Sequence, residues 1–408
     1  ELDRSRHNTC KRKPRSSTLE VEVSMKNYRV AILGCRARGT HAGQAYNAHP
    51  RTEIVGLCDL VRERLDEMGE LFDVNARFTD LDEMIEQTQP DIVAIPTGTE
   101  FHHELALRVL EHGVHIDIEK PLCTSLDQAD EVVAKGKEKG VEIAVHHQGR
   151  VGAGVVAAHR AYEKGRIGKL LYIYTRDKGY YGGLGVMNIA THKINTMMKF
   201  AGHVRSVSTV ATTDGHLVRP EDAVTSPLGM GTITGEYITA TLQFDDDVTG
   251  GLLQHRLPQI DTKLSAIELF GTEGRMIVRW EAAWLLPNAH FIPGQGDDWE
   301  PIDPIIPEGF DPGGDAVLDE FCYVDEYIKA LDEGRSHECK GTEGLHVLEV
   351  LMGVFESAAY GKRVELPQEN RKHPLLRWRK ENGLGEPDPV VRDHRQWAVD
   401  EDRRLGRT

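Results

Sequence analysis

The 408-residue sequence predicts an α/β fold, and three observations carry that prediction. Short apolar, β-branched runs recur through the first 150 residues. Helical stretches separate them. A glycine-bearing turn follows the first run directly. This rhythm of strand and helix implies a parallel sheet joined by right-handed crossovers.

The elements follow in order. Tyr28–Leu33 (YRVAIL) is a strand; it ends in Gly34-Cys35-Arg36-Ala37-Arg38-Gly39, and a helix runs on to about Ala48. Glu53–Cys58 (EIVGLC) is a second strand, closed by Asp59, with a helix over 61–72. Asp91–Ile95 (DIVAI) is a third strand, and His102–His112 is helical. Val114–Ile118 (VHIDI) is a fourth strand running into Glu119-Lys120-Pro121. Ser125–Gly140 is helical, and Glu142–Val145 is a fifth strand.

Composition narrows the function classes. The formal net charge is −16, from 49 Lys and Arg against 65 Asp and Glu, which disfavours nucleic acid and anionic membranes as partners. No apolar run reaches membrane-spanning length. Six cysteines, at 10, 35, 58, 123, 322 and 339, are too sparse for a disulfide scaffold and contain no C-x-x-C pair. A reduced, cytoplasmic setting is expected. Residues 1–27 carry seven Lys and Arg and little apolar periodicity, so they read as a disordered or added extension; the stretch Lys11–Arg15 would otherwise be a basic patch. Residues 297–326 hold eleven acids and no Lys or Arg, yet their prolines and irregular spacing suit a solvated loop and a helix start rather than a cation loop. Residues 368–408 contain Leu375, Leu376 and Trp378, which predict an arm packed on the body or on a neighbouring subunit.

Chemistry first shows in the glycine turn. A dinucleotide loop uses one glycine for the tight turn, one for phosphate approach and one for helix packing. Here Gly34 and Gly39 are present, but Arg36 replaces the middle glycine. The turn reads either as a phosphate cradle at a helix N-terminus, with Arg36 and Arg38 beside it, or as an ordinary strand–helix turn. Asp59, at the end of strand two, favours the first reading. An acid there hydrogen-bonds ribose hydroxyls and repels a 2′-phosphate, which favours NAD over NADP, although Arg62 and Arg64 lie close by. Lys120 sits at the carboxyl end of strand four, where open α/β sheets bind ligands; Glu119-Lys120-Pro121 is otherwise a plain strand-to-turn tripeptide.

These residues carry a resemblance. YRVAILGCRARGTHA at 28–42, Cys58-Asp59 and HHELALRVLEHGVHIDIEKPLCTSLDQADEVV at 102–133 resemble the Gfo/Idh/MocA oxidoreductases, the glucose–fructose oxidoreductase and inositol dehydrogenase group. IELFGTEGRMIVRW at 267–280 and HVLEVLMGVFESAAYGKRVELP at 346–367 extend the likeness to the second half. The resemblance implies an N-terminal Rossmann domain over 28–150 and a C-terminal α/β domain over 151–367, built on an open, mostly antiparallel sheet. It also implies a homo-oligomer, a dimer or tetramer.

Site residues follow from the same likeness. The stretch Gly182–Asn195 is similar to the family's G-G-x-x-x-x-D-x-x-x-H-x-x-D motif. His192 matches the catalytic histidine, while Asn188 and Asn195 stand where aspartates are usual. Asn188 and His192 are spaced i, i+4, on one helix face. Because an amide cannot usefully take a proton, acid–base work falls to Lys120 and His192, with Asn188 orienting a hydroxyl. Thr97, His102, Glu119 and Gln148 are implied to border the cofactor. Arg150, Tyr180 and Tyr181 are implied to line the substrate pocket. Arg256, His255 and His290 are further candidates without roles. His146-His147 and His102-His103 lack a suitably spaced third ligand, so no metal is expected.

The expected activity is NAD-dependent oxidation of a secondary hydroxyl on a sugar, glycoside or cyclitol, a small-molecule substrate. Two alternatives stand beside it. The tyrosine pair and the missing aspartate suit an NAD-dependent glycosidase that works by transient oxidation and elimination. The two asparagines also suit a non-catalytic NAD-binding regulator of the same fold.

Overall fold

The computed structural model describes residues 26–262, 265–288 and 298–407. The extension over 1–25 with its Lys11–Arg15 stretch, and His290, lie outside the described residues.

The first half is a six-stranded parallel sheet flanked by helices. Its elements are β1 (Tyr28–Leu33), α1 (Ala37–Ala48), β2 (Thr52–Cys58), α2 (Arg62–Leu71), β3 (Arg77–Phe78), α3 (Leu81–Thr88), β4 (Ile92–Ile95), α4 (Thr99–Glu111), β5 (His115–Ile118), α5 (Leu126–Lys139) and β6 (Ile143–Val145). The strand order is β3-β2-β1-β4-β5-β6, the Rossmann order, and it reverses beside β1. Strand β4 is buried along its whole length because helices cover both sheet faces, which is why its sequence is continuously apolar. The five expected strands are β1, β2, β4, β5 and β6. The sequence reading passed over β3 and α3. Strand β3 has only two residues, too few for a periodic signal. Helix α3 does carry one: Asp80 caps it, its Oδ1 accepting from the Glu83 N–H at 2.9 Å, in the D-x-x-E spacing of an N-terminal box.

The second half adds α6 (Ala153–Glu163), β7 (Leu170–Arg176), a short α7 (Gly182–Gly185), α8 (Thr191–Ala201), β8 (Val204–Thr213), β9 (His216–Leu217), β10 (Val224–Thr225), β11 (Thr232–Ile233), β12 (Tyr237–Phe244), β13 (Thr249–His255), β14 (Ile267–Gly271), β15 (Arg275–Val278), β16 (Ala283–Leu286), β17 (Glu300–Ile302), α9 (Leu318–Glu333), α10 (Gly341–Tyr360), β18 (Val364–Glu365), α11 (Pro374–Glu381) and α12 (His394–Arg404). Its sheet runs β17-β16-β15-β14-β7-β13-β12-β8-β18, with β9 beside β8. Only the β7–β13 pair is parallel, so the sheet is mixed and mostly antiparallel. Strand β12 alternates exposed and buried residues, as a half-covered sheet requires. The covered face of the sheet packs on α10 through β8 and on α8 through β7.

Two segments cross the expected boundaries. Helix α9 falls within 151–367, yet its Tyr323, Val324, Tyr327 and Ile328 share a core cluster with Val30, Ile32, Tyr46 and Leu65. It therefore completes the first domain from outside its sequence range. The C-terminal arm packs on the chain's own body, where Leu375, Trp378 and Trp397 are buried in the main core.

Candidate functional site

The glycine turn is shaped for close approach. Gly34 leaves β1 with φ +117°, in the region that favours glycine. A Cβ at Gly39 would overlap the Gly34 carbonyl oxygen, so the helix can pack on the turn only without a side chain there. Arg36, at the start of α1, is exposed and caps no N–H with its side chain, which leaves the first helical amides open to an anion. Asp59 closes the cradle. Its Oδ2 accepts from the Cys35 N–H (2.8 Å) and its Oδ1 from the Val61 N–H (2.9 Å), fixing the carboxylate at the end of β2. Thr97, after β4, carries a buried Oγ1 with no partner among the described residues. These features fit a dinucleotide: an open helix N-terminus, a side-chain-free turn, a fixed acid and an unanswered hydroxyl.

His102 plays a supporting part. It is fully buried, with Nδ1 at 3.0 Å from the Pro121 carbonyl oxygen and Nε2 at 3.2 Å from that of Thr97. It ties the loop after β4 to the loop after β5. Its place in the sequence motif is thus a hinge between two loops rather than an exposed contact.

Lys120 leaves the end of β5 and is half-buried. Its Nζ donates to Asn188 Oδ1 (2.7 Å) and to the Asn188 carbonyl oxygen (3.1 Å). Burial lowers its pKa to about 8; Arg38 and Lys178 push the same way, against Glu119 and Glu320. Asn188 does not lie on an α-helix as expected. Val186–Ala190 form a π-helical turn, and α8 begins only at Thr191. A π turn is a common way to re-aim side chains at a functional site. His192 follows on α8, with its ring centroid 5.0 Å from that of Trp280 and 5.7 Å from that of His147. Its Nδ1 is buried without a partner among the described residues. Burial, with the Lys120 charge next, drives its pKa well below the ordinary histidine value, so the imidazole is neutral.

Behind Lys120 lies a buried ionic cluster that the sequence reading missed in part. Arg38 Nε donates to Glu119 Oε1 (2.6 Å), and its Nη1 donates to Glu320 Oε1 (2.9 Å). His146 bridges Asp117 Oδ1 (3.0 Å) and Glu320 Oε2 (2.7 Å), and the Tyr46 hydroxyl donates to Asp117 Oδ2 (2.9 Å). Gln148 Nε2 donates to Glu320 Oε1 (3.2 Å), leaving its Oε1 buried and unpartnered. Arg38 and Glu119, expected beside the cofactor, are thus committed to each other and to α9. Glu320 had no sequence signal, because it stands 172 to 282 residues from its partners in an acid-rich stretch.

The remaining candidates divide. Arg150 Nη1 donates to the Asn195 carbonyl oxygen (2.8 Å) and lies near Glu338 and Glu343. It is held among these groups and is not joined to Lys120 or His192. Tyr180 is half-buried against His394. Tyr181, implied to line the substrate pocket, lies under the arm, with its hydroxyl 3.3 Å from Glu401 Oε1 and its ring edge-on to Trp397. The pair that motivated a glycosidase therefore faces the arm. Arg256 is ion-paired with Glu236 and Asp402, and His255 meets the Thr239 hydroxyl. Lys178, Lys193 and Trp280, which the sequence reading did not single out, gather next to His192.

Comparison with known proteins agrees with this geometry. Residues 28–147 match the NAD-binding Rossmann fold of the GFO_IDH_MocA oxidoreductase family, and residues 174–366 match its C-terminal α/β domain. The chain belongs to this family, and its first domain is an NAD-binding Rossmann domain. It is 30% identical over 154 residues to scyllo-inositol 2-dehydrogenase (NAD(+)) of Bacillus subtilis (strain 168), covering 37% of this chain and 45% of that enzyme. The chain spans under half the length of the first curated relatives it matches. A longer match, 23% identical over 396 residues, is to levoglucosan dehydrogenase of Pseudarthrobacter phenanthrenivorans (strain DSM 18606 / JCM 16027 / LMG 23796 / Sphe3), covering 84% of this chain and 99% of that one. The solved structure of levoglucosan dehydrogenase with NADH and levoglucosan superposes with TM-score 0.69 at 20% identity, covering 84% of this chain and all of that one. At that identity the superposition speaks for the fold alone.

Proposed function

We propose that the protein is an NAD-dependent dehydrogenase that oxidises a secondary hydroxyl of a sugar, glycoside or cyclitol. The observation that carries this reading is the Lys120–Asn188 bond beside a neutral, unpartnered His192. Gly34, Gly39, the first amides of α1, Asp59 and Thr97 would hold NAD. When bound, NAD supplies the hydride acceptor. The chain supplies placement and proton transfer. Asn188 fixes the Lys120 ammonium, which donates to the reacting oxygen and stabilises charge as the carbonyl forms. The neutral His192 imidazole takes the hydroxyl proton. The family relatives that act on inositol and levoglucosan support a polyhydroxylated substrate.

The test is NADH formation by the purified protein over a panel of sugars and cyclitols. Lys120→Ala and His192→Ala should each lower kcat/KM by roughly 10²-fold or more. Full turnover in both variants, or failure to bind NAD, overturns the reading.

A further inference from the structure

One wall of this site carries two ammonium groups that make no ion pair among the described residues. Lys193 follows His192 on α8 and is only 3% exposed. Its Nζ lies 5.6 Å from the centroid of the Trp280 ring, and Lys178 Nζ lies 5.8 Å from the same centroid. The His192 ring is 5.0 Å from it on centroids. Two ammonium groups and the proposed base thus share one indole. Neither Lys178 nor Lys193 has an ion pair among the described residues, and the Lys193 ammonium has no hydrogen-bond acceptor there.

Asp177 is the acid in reach; its charge acts on both lysines, but it forms no ion pair with either among the described residues. One of its oxygens accepts from the Lys178 backbone N–H. The other, Oδ2, is buried and unpartnered, as are both polar side-chain atoms of the fully buried Gln254. A Cβ at Gly185 would run into both groups, so they converge on that glycine.

A buried ammonium is costly without a counter-ion, and an indole face compensates only part of that cost. Asp177 answers the Lys193 charge only at a distance. Burial, with Lys178 and Arg279 adding to it and Asp177 opposing, pushes the Lys193 pKa down to about 7. An ammonium loosened in this way regains its proton when an anion arrives.

We propose that Lys178 and Lys193 form an anion subsite, and that the substrate is a sugar or cyclitol derivative bearing a carboxylate or phosphate. The proposal rests on the dehydrogenase reading. The anionic group sits against the two lysines, and a hydroxyl of the same molecule reaches Lys120 and His192. Asp177 and Gln254, with their unanswered polar atoms, take further hydroxyls.

The experiment compares NAD reduction on D-glucuronate, D-galacturonate, D-gluconate and D-glucose 6-phosphate with that on D-glucose, D-galactose and myo-inositol. At least one anionic compound should exceed its neutral parent in kcat/KM by about tenfold or more. The carboxylate and phosphate arms separate the two sources of charge. Lys193→Gln and Lys178→Gln should each shrink that preference by about tenfold, and Lys193→Arg should keep it. Lys178 is only half-buried, so its variant gives the same readout if Lys193→Gln does not fold. Neutral parents that match the acids, or a preference unmoved in both glutamine variants, overturn the subsite and leave the dehydrogenase reading standing. If nothing on the panel reduces NAD, the dehydrogenase reading fails. Calorimetry of the NAD-loaded protein with D-glucuronate and D-glucose 6-phosphate then decides the subsite. Binding that is lost in Lys193→Gln supports it; no binding by the unmodified protein overturns it.

Discussion

His192 is moved off its ordinary pKa in the direction its proposed role needs, and Lys120 is lowered only as far as about 8, which leaves it protonated near neutral pH. His192 must be neutral to accept a proton, and burial keeps it neutral well below the usual histidine range. Lys120 must carry its proton to polarise the oxygen, and it does so below about pH 8. The profile of kcat/KM should therefore be bell-shaped, with its falling limb near pH 8 and its rising limb below the ordinary histidine value of ~6.5. Lys178→Gln removes a like charge from Lys120, so the falling limb should move to higher pH. An unmoved limb would assign it to another group. At this scale the sequence was informative where residues are close along the chain. Asn188, His192 and Lys120 are legible through the family likeness of the motifs around them; spacing alone says only that Asn188 and His192 share a face, and Glu119-Lys120-Pro121 alone is a strand-to-turn tripeptide. Lys178, Lys193 and Trp280 could not be read together, because β7, α8 and β15 bring them to one spot from separate segments. The arm's contact with Tyr181 was hidden for a related reason: a Gly-flanked tyrosine gives no sign that an arm about 220 residues later will pack on it.

Glycine and helix placement set the elements in register. Gly39→Ala puts a methyl group on the Gly34 carbonyl oxygen, so α1 must shift away from β1. NAD affinity, measured by titration calorimetry, should fall by at least tenfold, roughly the loss of one charge-assisted contact. Helix α9 is the other sensitive element, since Glu320 ties it to Arg38 and His146. Burial alone would raise the Glu320 carboxyl; the His146 and Arg38 charges more than reverse this and hold it well below the usual range. Burial alone would lower His146, and Asp117 and Glu320 hold it well above its ordinary value instead. The depressed carboxyl contributes stability that is present above its unfolded value of ~4.3 and is lost as pH falls through its folded one. The raised imidazole contributes stability that is full below ~6.5 and is lost as pH rises through its folded value. Glu320→Ala leaves the buried His146 with Asp117 alone and the partly exposed Arg38 with Glu119 alone, and should cost about 1–3 kcal/mol. The melting-temperature gap to the unmodified protein should be widest between about pH 4.5 and 6.5 and should narrow on both sides. A gap independent of pH would mean that packing, not charge, holds α9. The parallel strands were legible because burial on both faces makes them uniformly apolar. Helix α9 was legible as a helix start, but not as part of the first domain, because its acids follow no periodic pattern.

The second sheet has one face on α8 and α10 and leaves the other open. Along the open face, Val210 is 60% exposed, Tyr237 is 42% exposed and Tyr172 is 39% exposed. Val210 and Tyr237 lie on the neighbouring strands β8 and β12, Val210 opposite Thr239 and Tyr237 opposite Thr212. Tyr172, on β7, stacks on Phe270 at 4.3 Å and aligns through Thr249 with Gln243, at the far end of β12 from Tyr237. These are separate apolar positions on one open face, and exposed apolar side chains on such a face suit contact with another copy. An isologous contact there would also keep the face from pairing with unrelated chains. The homo-oligomer that the family likeness implies can be tested at this face. Val210→Glu puts a charge at the most exposed of these positions, where burial against a second copy would carry a desolvation penalty. Sedimentation at micromolar concentration should show a dimer or tetramer for the unmodified protein and a smaller species for the variant. NAD binding should persist in both, because the cradle around Gly34 and Asp59 belongs to the other sheet. A variant that assembles as before would move the interface elsewhere, and an unmodified protein that sediments as a monomer would leave this face exposed for some other purpose.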